Sequence, residues 1–108
     1  MIYKKESLYF NEFLIYFMNS IKKLILQKLI RANIWGGKHI PIDFVLNGIP
    51  EHFRRTHQGK KEISKVLKEL INNELIIILI KRTGKDSSEH ISLNPRKVSE
   101  IKSFLENN

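Results

Sequence analysis

Six consecutive apolar residues, Leu75–Ile80, follow directly on a segment patterned as a helix, and this junction constrains the chain more than any other feature. The run is rich in β-branched isoleucine (residues 76, 77, 78 and 80) and too short for a buried helix, so it is predicted as a strand. Upstream, Ile63, Val66, Leu67, Leu70 and Ile71 fall at spacings 0, 3, 4, 7 and 8, which predicts a helix over 60–73 with one apolar stripe. Lys61, Lys65 and Lys68 lie opposite that stripe, with Ser64 at its edge. Downstream, the polar stretch Lys81–Glu89 contains Gly84 and reads as a hairpin loop, with His90–Leu93 as the returning strand. Asn94-Pro95 supplies an N-cap and a first-turn proline for a last helix, whose apolar face is Val98, Ile101, Phe104 and Leu105.

The first third is also helical. Residues 8–33 read as one long helix or two consecutive ones, stopped at Trp35-Gly36-Gly37, where the tryptophan is expected to cap the core. The first half of that segment, from Leu8 to Met18, is apolar on nearly every side. Such a helix needs cover on more than one face, so residues 1–17 are expected to be an oligomerisation extension of a domain spanning 18–108. Tyr9, Phe10, Phe13, Leu14, Phe17 and Met18 are the expected homodimer contacts, with Phe104 and Leu105 as helpers. Between the long helix and the 60–73 helix, Lys38–Ile42 reads as extended because Ile40 precedes a proline. Asp43–Asn47 and Pro50–Arg55 read as short helical turns, followed by a loop over 56–59.

Charge narrows the partner. At 108 residues the chain fits one domain, and its net charge is +8. Residues 1–17 balance at zero, 18–50 carry +4, 51–70 carry +3 and 71–108 carry +1, so the surplus sits in the folded middle. A surplus of that size attracts phosphate-rich surfaces.

Other chemistries find little support. The chain has no cysteine, which removes disulfides, thiolate metal sites and a cysteine nucleophile. His52 and His57 are five apart, a poor helical metal spacing, and His39 and His90 stand isolated in sequence. The paired glycines lack a nucleotide-binding context, and the two aspartates, Asp43 and Asp86, sit in no acid–base or triad pattern. We therefore expect no enzyme, no catalytic residue, no cofactor, no metal and no small-molecule ligand. No apolar run reaches the roughly 20 residues of a membrane span and no signal peptide is evident, so a cytoplasmic protein without a membrane partner is expected.

The order helix, short extended piece, helix, helix, strand, loop, strand resembles the winged helix-turn-helix domain. Lys23–Leu105 resembles in particular small archaeal winged-helix proteins, through Trp35-Gly36-Gly37-Lys38-His39, Ile49-Pro50-Glu51-His52, the helix end at Leu67–Leu75 and His90–Pro95. The resemblance implies an α+β, mainly helical fold, with a two-stranded β-hairpin wing and flanking N- and C-terminal helices. It also implies double-stranded DNA binding, sequence-specific or general, in transcription regulation. Under it the 60–73 helix is the recognition helix. Gln58, Lys60, Lys61 and Ser64 approach base edges in the major groove, while Lys65 and Lys68 meet phosphates. Arg54 and Arg55 offer phosphate contacts just before it, and Lys81, Arg82 and Lys85 do so from the wing. Two features depart from the family. The Gly48–Gly59 connection exceeds a helix-turn-helix turn of three or four residues, and residues 1–17 lie outside the resemblance. Two alternatives stay open: a winged-helix scaffold in a larger complex that does not touch DNA, and binding of structured RNA.

Overall fold

An amphipathic stripe such as Ile63–Ile71 folds only where a second apolar surface covers it, and the first helix supplies that surface. The computed structural model describes residues 2–84 and 86–107, with the side chains of residues 12, 15–82, 84 and 86–107. Helix α1 spans Ile2–Arg31, a single helix with no break where the extension meets the domain. It is followed by strand β1 (Ile40–Pro41), the short helices α2 (Ile42–Leu46) and α3 (Glu51–Arg54), and helix α4 (His57–Asn72). The hairpin β2 (Ile76–Thr83) and β3 (Asp86–Leu93) leads through a 3₁₀ turn at Pro95–Lys97 into α5 (Val98–Asn107). No helix among the described residues is long and apolar enough to cross a membrane.

The core is built where four elements converge. Ile21, Ile25, Leu26 and Leu29 of α1 are buried together with Val66 and Leu70 of α4, Ile76, Ile91 and Leu93 of the sheet, and Ile101 of α5. Trp35 packs half-buried against this cluster, as expected of a core-capping indole. Asn94 caps the C-terminal turn, its side chain accepting the Arg96 N–H at 3.0 Å. Phe104 and Leu105 also lie on the chain's own core, so both are already covered by their own chain.

Helix α4 starts three residues earlier than the apolar period predicts. Thr56 is the reason: its hydroxyl accepts the Gly59 N–H at 2.8 Å and donates to the Phe53 carbonyl at 2.8 Å. The long Gly48–Gly59 connection thus contains α3 and the first turn of α4, leaving only Arg55 and Thr56 between them. Gly59 makes this close approach possible, since a Cβ there would stand 1.8 Å from the Phe53 carbonyl oxygen.

The sheet has three antiparallel strands in the order β1-β3-β2, with Ile40 opposite Ile91 and Ile76 opposite Leu93. Pro41 is tolerated in β1 because the strand lies at the sheet's edge. The hairpin loop predicted over 81–89 is instead mostly strand: pairing continues from Lys81–Ser88 to Thr83–Asp86, and only residues 84 and 85 connect the strands. Its polar sequence follows from position. Beyond Leu79 the ribbon runs past the core and both faces meet water, so alternation is lost while the ladder persists. Gly84 accommodates the turn with φ +60°.

Replacing Gly59 with alanine should force α3 and α4 apart. We expect Gly59→Ala to lower stability by about 2 kcal/mol, the cost of overpacking exceeding the gain in helix propensity. Urea denaturation checks this, and a variant as stable as the wild type would contradict the close approach.

Candidate nucleic-acid interface

Burying one stripe of α4 dictates what the opposite stripe presents. His57, Lys61, Ser64, Lys65 and Lys68 recur at helical spacing and are all exposed, whereas Gly59, Ile63, Val66 and Leu70 are buried. Lys60 is exposed on the flank. Among the described residues Lys61 and Lys68 have no carboxylate within 4.0 Å, and Lys65 stands 3.9 Å from Glu62. The thread of acid along this helix is inward: Glu62 is buried and accepts a hydrogen bond from Gln58 Nε2 at 2.7 Å. Gln58 therefore lies in the first turn of α4, oriented along the helix, and not in a preceding loop.

Two arginines precede the helix and differ in availability. The half-buried Arg54 donates from Nε to the Ile49 carbonyl at 2.8 Å and from Nη1 to Asn47 Oδ1 at 3.3 Å, so its guanidinium ties α3 to the turn before it. Arg55 is exposed and pairs with Glu51 at 2.6 Å, one helical turn back. An exposed pair of that kind contributes about 0.3–0.5 kcal/mol, so a phosphate can displace Glu51.

The hairpin divides its cations between two faces. Cross-strand partners share a face and neighbours along a strand alternate. Lys81, opposite Ser88, therefore lies on the His90 face, and Arg82, opposite Ser87, on the face of Ile78 and Ile80. The Ile78 face is the one that continues the core covered by α1 and α4, and Ile80 is 64% exposed on it. Arg82 and α4 thus border the same side of the sheet, whereas Lys81 belongs to the other. Lys85 lies outside the described residues.

The expected subunit contacts separate in the same way. The side chains of Tyr9, Phe10, Phe13 and Leu14 lie outside the described residues. Phe17 and Met18 pack on the chain's own core, Phe17 edge-on to Phe53 with ring centroids 4.8 Å apart. Among the described residues, the exposed large apolar side chains of α1 are Ile15, 59% exposed, and Tyr16, 74% exposed. Beside Tyr16 an open groove of about 770 Å³ runs along α1 to Arg31, with Lys23, Gln27 and Gly48 in its walls and no residue of α4.

Sequence reading missed two polar features. The Gln58–Glu62 bond was within reach, since an i,i+4 amide–carboxylate pair is a recognisable helical signal. The other is the contact of His39 with His90, 51 residues apart, which only the pairing of β1 with β3 brings together. The two histidines are not isolated. Among the described residues no three His, Cys, Asp or Glu side chains gather in a way that could hold a metal ion. Compared with protein-family profiles, curated proteins and solved structures, the chain matches none.

Proposed function

We propose that this chain is a winged helix-turn-helix protein that binds double-stranded DNA and serves as a transcriptional regulator. In this reading α3 and α4 form the helix-turn-helix and β2–β3 the wing. The order α1-β1-α2-α3-α4-β2-β3 and the sheet order β1-β3-β2 support that assignment. The observation that carries the function is the outward stripe of α4, where Lys61, Ser64, Lys65 and Lys68 project together from a helix anchored by its opposite face. A helix fits the roughly 12 Å major groove. Lys61 and Ser64, nearer its N-terminus, then approach base edges, while Lys65 and Lys68 meet phosphates. Arg82 is the wing cation on the matching side, and Arg55 the one before the helix.

Binding to a random duplex at two or more salt concentrations tests this. Log K should fall with log salt at a slope of about −0.9 per phosphate neutralised. Lys65→Ala and Lys68→Ala should each flatten the slope by about 1, and Lys81→Ala should leave it nearly unchanged. A flat salt response of the wild type contradicts DNA binding.

The second part of the proposal is a homodimer formed through the N-terminal part of α1. Residues 1–17 carry no net charge, so this segment adds no repulsion of its own where two copies meet. The helix also runs out from the body. The radius of gyration is 15.5 Å, against about 13 Å for a compact chain of this length, and the long axis is 55 Å. Exposed Ile15 and Tyr16 at the point where the helix leaves the core are open to a second copy. Light scattering at about 10 µM should give a dimer mass, and the double variant Ile15→Glu, Tyr16→Glu a monomer. A monomeric wild type contradicts it.

A further inference from the structure

The loop from Ile34 to His39 is held against β3 by several bonds. Leu93 N–H donates to the Ile34 carbonyl at 3.0 Å, Gly36 N–H to the Leu93 carbonyl at 3.0 Å, and Ser92 Oγ to the Gly36 carbonyl at 3.0 Å. The last fastening differs in kind from these. His39 Nδ1 and His90 Nδ1 stand 2.9 Å apart, with their rings nearly perpendicular and centroids separated by 4.8 Å. Two ring nitrogens at that distance need one proton between them, one imidazole donating and the other accepting. Ser88 Oγ, 3.2 Å from His90 Nε2, satisfies His90 in either tautomer because a hydroxyl both donates and accepts.

We propose that His39 and His90 form a proton-operated clasp, which fastens the 34–39 loop and β1 to the hairpin and is opened by the second proton the pair takes up. With no added proton, or with one, a single N–H···N bond joins the rings. With two, both Nδ1 atoms carry hydrogen and two cations face each other, so the bond is replaced by repulsion. The surroundings favour the deprotonated state. His90 is 91% removed from solvent. Its burial is the first cause that lowers its pKa from the ordinary 6.5, followed by His39 and then by Lys81. Lys81 comes from β2 on the same face of the ribbon. Lys38, next to His39, is exposed. Of the carboxylates around it, Glu89 projects from the other face, Asp86 lies four residues along β3 towards the tip, and Asp43 of α2, which packs on β1 and β3, is exposed.

The sign follows from the lowered value. The folded state binds protons less readily than the unfolded chain, so this contribution to stability is complete above pH 6.5 and is lost as pH falls through the folded pKa. The inference is independent of DNA binding, since it concerns how the 34–39 loop is held to the hairpin.

Trp35, the only tryptophan, lies in the fastened loop and reports on it. The test is a titration of the full chain from pH 8 to 4.5, following the histidine ring protons by NMR and Trp35 emission together. His90 should take up its proton below the ordinary imidazole range, and the emission should change with that uptake. In His39→Asn, His90 should take up its proton at higher pH, and the accompanying emission change should vanish. Equal titration of His90 with and without His39 overturns the proposal. So does a constant Trp35 emission while the wild-type pair takes up both protons.

Discussion

Everything in this molecule hangs on the contact between the buried stripe of α4 and the middle of α1. Val66 and Leu70 meet Ile25 and Leu29 with essentially no solvent access, and the sheet and α5 close over the same cluster. Removing a fully buried Leu or Ile side chain from such a site costs about 2–5 kcal/mol, a large share of the 5–15 kcal/mol that holds a domain folded. Lys22 of α1 and Glu69 of α4 add an ion pair beside the stripe. Because the helix is fixed by one face, the other face has a fixed direction, and the lysines on it become a surface with a definite position.

The packing was largely legible in the sequence. The 0, 3, 4, 7, 8 spacing of α4, the isoleucine strand β2 and the Asn94-Pro95 start of the last helix each carry their periodicity or cap in consecutive residues. The failures share a cause: the deciding partner lies elsewhere in the chain or has no side-chain signature. Thr56 and Gly59 move the start of α4 through a contact with Phe53 that no periodicity encodes. The outer half of the hairpin looks like a loop because both its faces meet water, although its backbone ladder is complete. Phe17 and Met18, read as interface residues, also pack against their own chain, where the fold brings Phe53 and the core to them.

The candidate site was legible as composition and less so as geometry. Clustered Lys and Arg around 54–68 can be counted, but the count does not reveal that Arg54 is spent on Ile49 and Asn47. Nor does it reveal that the two hairpin cations diverge: adjacency in sequence, which groups Lys81 with Arg82, is what separates them on a ribbon. The proposed interface is smaller and better defined, with Lys61, Ser64, Lys65 and Lys68 on one helix, Arg55 before it and Arg82 across from it.

We propose that DNA meets this surface and no other. Backbone amide chemical-shift mapping of the full chain with a short random duplex distinguishes it from the remaining surfaces. Perturbations are expected to concentrate on 55–68 and around residues 80–82. Shifts concentrated along the α1 groove between Tyr16 and Arg31, or no shifts at low salt, would contradict it.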